Sequence, residues 1–418
     1  MTHVVFVDSN VPGIETMRIA KGRGYSVTFI QPAYRMYAET EHVRSVISSL
    51  DNIIRIGAST DRAAVEAALV KAGRIAPIDA VITQYEGCVD AVACACSKLG
   101  LRFTAERGVL AARDKALTRR ILAERGIRSA RSELVSTPRE AEDAARRIGG
   151  RVVVKPRTGY DSLLAYEARD PAEAASAAAR LIEGIDTAPE QIRSQLKKGI
   201  LVEELLQGEL VSAEIGRLDG RFHRFMISGR PRSRENECIE MGATMPADID
   251  ERTALACFDY AEAVVEALGL DFGIFHVEMI LTTAGPTLVE VNPRLMGGVM
   301  PGLYKNLTGD DIQAHLLDIH LGCHPRLPER RIEGFITSRK LMPRAEGVLS
   351  EQISLDWVRS VPGLVDFDPY QVSPGDSVAA HAILARYQVA ASTLRQANAA
   401  ADALLDRFER EIGVELIR

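Results

Sequence analysis

Short apolar runs alternate with amphipathic stretches through the N-terminal part of the chain. Residues 3–8 form an apolar run that ends at Asp8-Ser9-Asn10, and a helical pattern follows over 14–21. Residues 25–30, 53–56 and 80–83 read as further strands, and 63–72 and 89–98 as helices. Strands alternating with helices predict a parallel, doubly wound sheet. No G-x-G-x-x-G follows the first strand, which argues against a dinucleotide site there.

The pattern then changes. Residues 113–125 read as one amphipathic helix stopped by Gly126. A second helix spans 138–148, opened by Ser136-Thr137-Pro138-Arg139-Glu140, and an alanine-rich one spans 171–182 after Asp170. Strands are expected at 151–155, 164–167, 200–206 and 210–217, then a helix at 253–267. Residues 273–282 and 287–291 read as two strands around Thr283-Ala284-Gly285-Pro286. A helix at 310–321 follows, and the remaining stretch mixes short strands with a final helix at 392–412.

The hairpin at 273–291 carries the sharpest chemistry. Pairing Leu281 with Thr287 across the turn sets Glu278 opposite Glu290 and His276 opposite Asn292. Like charges directly opposite are destabilising, and buried carboxylates need a partner. A divalent cation resolves both problems, and two Glu with one Asn amide suit Mg²⁺. The alternative is a one-residue slip that sends one Glu to solvent. It is disfavoured because Glu290 and Asn292 share a face while Val289 and Val291 take the other.

Two weaker signals precede it. Val152-Val153-Val154-Lys155-Pro156 ends an apolar strand with a cation, and Gly159 and Ser162 follow in a loop whose amides could meet phosphate oxygens. An ordinary surface hairpin fits that stretch as well. The strand at 200–206 leads into Gln207-Gly208-Glu209, where backbone groups could meet an adenine edge and Glu209 ribose hydroxyls. Solvated glutamates at a strand end are the plain alternative.

Composition narrows the field. The chain has 418 residues, enough for two to three domains, with 46% hydrophobic and 26% charged residues. A net charge of −6 argues against a nucleic-acid partner. No apolar run is long enough to cross a bilayer, and no secretory signal is seen, so a cytoplasmic protein is expected. The six scattered cysteines read as reduced thiols. Only nine of the 51 basic residues are lysines, which sharpens interest in a lysine such as Lys155 alone on an apolar strand, although codon usage accounts for the arginine excess.

In order, the segments RDKALTRRILAERGI, VVVKPRTGYDS, LVEELLQGELVSAE, FHVEM and LVEVNPRLMGG make the chain resemble the ATP-grasp superfamily over about residues 113–298. ALGLDFGIFHVEM, NPRLMGG and EGFITSRKLMPRAEGVL most resemble carboxylate–amine ligases, including bacterial L-amino-acid ligases. The resemblance implies an ATP-grasp fold (α/β, with α+β in the grasp module) and an N-terminal doubly wound domain. The domains implied are a pre-grasp domain at 1–112, a small lid subdomain at 113–205, a large metal-bearing subdomain at 206–330 and a C-terminal α/β subdomain at 331–418. It also implies roles. Lys115 and Lys155 contact the phosphates of ATP, with Gly159 and Ser162 in the phosphate lid. Glu203, Glu204 and Leu206 line the adenine site, and Glu209 holds the ribose. Glu278, Glu290 and Asn292 bind one or two Mg²⁺, with Mn²⁺ as a substitute. Arg294 sits over the transferred phosphoryl group, and Gly297 and Gly298 let the backbone approach the acid substrate. The loop PRTGYDS is less glycine-rich than in many members of the superfamily.

The expected reaction joins an amino acid to an amine or a second amino acid, with small molecules as partners, neither nucleic acid nor membrane, and a homodimer as a possible assembly. A free carboxylate is a poor electrophile, and phosphoryl transfer turns it into a mixed anhydride. A base must then free the attacking amine, for which His276 is a candidate against the plainer reading of a core histidine. A carboxylase or purine-pathway type of ATP-grasp ligase is the alternative, although no biotinyl M-K-M segment is present. Arg339 is a candidate to reach the substrate from the last domain. His315, His320, Cys323 and His324 do not share one face and are read as structural, as is the pair Cys94 and Cys96. Arg230, Arg232 and Arg234 could hold an anion, with a solvated loop the better reading.

Overall fold

A computed structural model describes the chain except for residues 160–162, 189–192, 194–195, 234–236, 329–331 and 371. The N-terminal sheet is built from β1 (His3–Val7), β2 (Ser26–Pro32), β3 (Asn52–Ile56) and β4 (Ala80–Ile82), all parallel in the order β3-β2-β1-β4. Val4 and Phe6 pack into one core and Val5 and Val7 into another, so both faces are covered, as an all-parallel sheet requires. The chain reverses direction across the sheet between β1 and β4. Asp8-Ser9-Asn10 and residues 83–86 therefore meet at the strands' carboxyl ends, where open α/β sheets take ligands.

The helix expected over 113–125 starts two residues later, and a helix that was not expected precedes it. One helix is Glu106–Arg113 and the next is Lys115–Glu124, with extended Asp114 between them. Asp114 caps the second helix by accepting the Leu117 N–H, and Arg157 binds the same carboxylate.

The lid comprises β5 (Ser132–Val135), β6 (Val152–Pro156), β7 (Tyr166–Ala168) and β8 (Ile200–Glu204), antiparallel in the order β5-β8-β6-β7. Helices Pro138–Ile148 and Pro171–Thr187 pack on it through buried alanines 141, 144, 145, 174, 177 and 178, small enough to let the two helices approach closely.

The remaining strands are β9 (Glu209–Leu218), β10 (Arg221–Gly229), β11 (Gly242–Met245), β12 (Gly273–Thr282), β13 (Gly285–Asn292), β14 (Phe335–Leu341), β15 (Gly347–Val348), β16 (Leu364–Pro369), β17 (Ser377–Val378) and β18 (Ala385–Ala391). Eight of them make one sheet in the order β13-β12-β9-β10-β11-β14-β18-β16, and β15 pairs with β17. Strands from both sides of residue 331 share this sheet. Helix Glu251–Ala267 buries Cys257, Ala261, Val264 and Val265 against Ala213, Phe275, Val277 and Met279. Helices Met300–Thr308 and Ile312–His320 cover the other face and meet the N-terminal domain there. The last helix, Leu394–Ile412, packs Leu404, Leu405 and Phe408 on Tyr387 and Val389. No helix among the described residues is long and apolar enough to cross a membrane.

Candidate active site

The β12–β13 hairpin forms with Glu278 opposite Glu290 and His276 opposite Asn292, as the alternation predicts. The turn end differs from the expected register. Leu281 pairs with Pro286, not Thr287, and Ile280 takes Thr287, because the strands slip by one residue between Glu278 and Met279. Alternation alone cannot reveal such a bulge, since the run Thr287-Leu288-Val289-Glu290-Val291-Asn292 reads smoothly through it. Asn292 and Glu290 do share a face, and the Asn292 Nδ2 donates to Glu290 Oε1 at 3.1 Å.

Cations surround the pair. Lys115 Nζ lies 3.2 Å from Glu290 Oε2 and also donates to the Gly159 carbonyl at 2.9 Å. Arg230 Nη2 lies 3.6 Å from Glu278 Oε1, and His276 Nε2 lies 3.1 Å from the same oxygen. Burial pushes the Glu278 carboxyl up, but Arg230 and the His276 contact outweigh it and hold the group down at about 2. Two facing carboxylates with an amide oxygen donor beside them are a hard-ligand set that fits Mg²⁺. Among the described residues, no group of three or more His, Cys, Asp and Glu side chains is placed to hold a metal.

His276 is buried with both ring nitrogens engaged. Its Nδ1 contacts Glu214 Oε2 at 2.8 Å, and its Nε2 faces Glu278 and Arg230 Nη1. That arrangement suits a residue that orients Glu278 and leaves no ring nitrogen turned toward a substrate. Glu214 also accepts the Met296 N–H at 2.6 Å, fixing the loop after Arg294.

Lys155 ends β6 as expected and is buried, yet it does not stand alone. Its Nζ donates to Glu203 Oε1 at 2.8 Å, and Arg119 reaches the same carboxylate through Nε (2.8 Å) and Nη2 (3.1 Å). Burial alone would raise Glu203, but Arg119 and Lys155 bring it down to about 2. Burial, with Arg119 and Lys115 nearby, lowers Lys155 against the pull of Glu203. The Glu203 side chain is therefore committed to an ion triad, and any adenine contact from this residue falls to its backbone. Glu204 faces the other way along β8, pairing with Arg131 at 3.0 Å, while Leu206 is half-buried and Glu209 exposed. Gly159 is in place; Ser162 and Arg234 lie outside the described residues.

Arg294 enters the site and is met there by the N-terminal domain. Its Nη2 donates to Glu86 Oε2 at 2.6 Å across the domain boundary, and Arg113 contacts Glu86 as well. Burial raises the Glu86 carboxyl, with Arg294 opposing. A Cβ on Gly297 would stand 3.7 Å from the Arg294 guanidinium, and one on Gly298, whose φ is +59°, would stand 3.9 Å from that of Arg386.

Arg339 is not in the site. Its side chain is held by Thr337, the Ser338 carbonyl and Asn398 Oδ1 at 2.5 Å, under the last helix. Its neighbour Lys340 points to the opposite face and reaches the Glu240 carbonyl at 3.1 Å, and Glu240 in turn binds Arg230 at 2.5 Å. The expectation failed by one step of the strand's two-residue alternation. Sequence reasoning also left Glu86, Arg119, Glu214 and Glu240 without a role. Glu214 had a visible signal, a charge inside the apolar stretch Val211–Leu218; the others are recognisable only from partners distant in sequence. Of the histidines read as structural, His315 contacts Asp310, His320 packs on Phe272, and His324 meets His223.

A small antiparallel lid presenting lysines, set over a larger antiparallel sheet presenting paired carboxylates, defines an ATP-grasp architecture. Residues 148–301 match the ATP-grasp domain family, and the chain carries that domain. The whole chain superposes on the crystal structure of L-amino acid ligase from Bacillus licheniformis with a TM-score of 0.82, at 20% identity, over 100% of this chain and 98% of that one. Carnosine synthase 1 of Gallus gallus is 28% identical over 131 residues, 31% of this chain and 14% of that protein. Dapdiamide A synthase of Enterobacter agglomerans is 36% identical over 50 residues, 12% of each chain. The chain thus matches less than a third of the length of these curated relatives.

Proposed function

We propose that the protein is an ATP-dependent ligase that joins an amino-acid carboxylate to an amine through an acyl phosphate, releasing ADP and phosphate. The observation that carries this reading is the convergence of Glu278, Glu290 and Asn292 on one sheet face, with Lys115 and Arg294 against them and Glu86 closing the site from the N-terminal domain. Similarity to L-amino acid ligase and to carnosine and dapdiamide synthases supports the same chemistry.

Glu278, Glu290 and Asn292 would hold one or two Mg²⁺ ions, which supply positive charge to the phosphoryl oxygens when bound. Lys115 and Lys155 would hold the nucleotide phosphates, Lys155 being kept in line by Glu203. The backbone of residues 204–206 would meet adenine, and Glu209 the ribose. His276 orients Glu278. Arg294 would swing its planar guanidinium between the transferred phosphoryl group and the acid substrate, near the backbone of Gly297 and Gly298. The acid would become the mixed anhydride, and the amine would attack it with loss of phosphate. The lid, residues 113–205, would close over the hairpin and exclude water, which otherwise hydrolyses the anhydride. Residues 1–112 would serve as the pre-grasp domain and 206–330 as the metal-bearing half, whose sheet is extended by strands from 331–418.

The test is ADP release with Mg²⁺ and a panel of amino acids, offered singly and in pairs, with products weighed by mass spectrometry. Release that requires an amino acid, and a product lighter by one water than its two parts, is expected. Release driven by bicarbonate without an amine would replace this reading with a carboxylase.

A further inference from the structure

The carboxylate pair depends on a single extra residue. From the turn outward, Thr282 pairs with Gly285, Leu281 with Pro286, Ile280 with Thr287 and Met279 with Leu288; beyond that, Glu278 pairs with Glu290 and His276 with Asn292. Val289 is left over on β13. Had the turn's register continued without interruption, Val289 would face Glu278 and Glu290 would point to the other side of the sheet, since a one-residue shift exchanges faces. The bulge allows Leu288 and Val291 both to enter the core beside Met279 and Val277 while Glu290 and Asn292 stand next to Glu278.

β13 is the edge strand of its sheet, and around the bulge its backbone groups are claimed by side chains. The Leu288 N–H donates to the Tyr260 hydroxyl at 2.8 Å, and that hydroxyl donates to the Arg128 carbonyl at 2.6 Å. The Val289 carbonyl accepts from Arg119 Nη2 at 2.7 Å. Arg119 is 5% exposed and braced by Glu203, so its arm is fixed.

We propose that Tyr260 and Arg119 are positioning residues that hold the Val289 bulge and thereby set Glu290 against Glu278 in the metal site. The inference rests on the reading of Glu278, Glu290 and Asn292 as Mg²⁺ ligands. Tyr260 acts from the far side of β13, through the Leu288 amide.

The experiment uses the full chain and three variants. Mg²⁺ affinity is measured by calorimetry in the presence of a non-hydrolysable ATP analogue, analogue affinity is measured separately in EDTA, and hydrogen exchange is followed across β13. Tyr260→Phe is expected to bind Mg²⁺ about tenfold more weakly, the worth of one hydrogen bond. Its analogue affinity should stay unchanged and β13 should exchange faster. Arg119→Lys, which keeps a charge for Glu203 but lacks the nitrogen that reaches Val289, should likewise bind Mg²⁺ more weakly and exchange faster across β13. Deleting Val289 in the Tyr260→Phe background lets the ladder run straight from Met279–Leu288 to Glu278–Glu290 with no bulge to hold, so Mg²⁺ affinity should return to within a few-fold of wild type. A folded Tyr260→Phe protein with wild-type Mg²⁺ affinity and exchange overturns the proposal. So does a deletion variant as weak as Tyr260→Phe alone, because the hydroxyl would then act elsewhere. Wild-type protein that binds no Mg²⁺ defeats the metal reading itself, and exchange across β13 then decides alone whether Tyr260 and Arg119 hold the bulge.

Discussion

Replacing Glu203 with Gln removes the one anion between two buried cations. In the native protein Lys155 Nζ and two nitrogens of Arg119 converge on this carboxylate, whose side chain is 5% exposed. The folded group titrates at about 2 against an ordinary 4.5, so its ionised form stabilises the fold. Converting that difference gives about 3 kcal/mol at pH 7, of the same order as the 3–5 kcal/mol typical for breaking a buried ion pair. The sign follows from linkage. A carboxylate with a depressed folded value contributes stability above its unfolded value and loses it as pH falls toward the folded one. The contribution should therefore be whole above about pH 5, shrink to about 1 kcal/mol near pH 3, and be nearly gone at pH 2. Over this range Lys155 and Arg119 remain charged in the unfolded chain, so the change belongs to the carboxylate. The assay is urea denaturation of wild type and Glu203→Gln at pH 7 and pH 3, followed by circular dichroism. A midpoint gap that is large at pH 7 and narrows at pH 3 is expected. A gap of the same size at both values, or one below about 1 kcal/mol at pH 7, would refute the triad as the source of the stability.

Glu290→Gln should abolish Mg²⁺-dependent ADP release while leaving the thermal midpoint within a few degrees of wild type, since Lys115 loses one partner but keeps the Gly159 carbonyl; scanning calorimetry and an ADP-coupled assay check both. Arg294→Ala should retain nucleotide and Mg²⁺ binding and lose 10²–10³ in turnover, about 3–4 kcal/mol of barrier, and ADP release within a few-fold of wild type would remove Arg294 from the chemistry. Arg339→Ala should leave KM for every substrate unchanged but destabilise the C-terminal part by about 1–3 kcal/mol, because it unpairs Asn398 of the last helix. A changed substrate KM with unaltered urea midpoint would return Arg339 to the site.

Much of this arrangement is legible in the chain itself. The two-residue alternation around Glu278 and Glu290 places both on one face, and the Lys155 strand falls where the pattern puts it. What stays hidden has specific causes. The helix start at Asp114 is a capping event that the amphipathic pattern, reading back to 113, does not mark. The bulge at Val289 inserts a residue without disturbing the apparent alternation. The choice between Arg339 and Lys340 turns on which face of β14 the last helix covers, a tertiary fact. Glu86 and Arg294 meet across 208 residues, and Arg119 and Glu203 across 84, so neither pairing has a local signature.

The eight-stranded sheet has a consequence for anyone wishing to trim the molecule. β14, β18 and β16 continue the sheet beyond β11 and so belong to the wall that carries the hairpin. A chain stopped before β14 would leave β11 with a row of bare amides and carbonyls along its outer side, and would uncover Ile336's neighbours Ala243 and Met245 from their core. Such an exposed edge invites pairing between molecules. Shortened versions are expected to precipitate as oligomers, whereas a break at the exposed Ser373-Pro374, between β16 and β17, interrupts neither the sheet nor its hydrophobic backing.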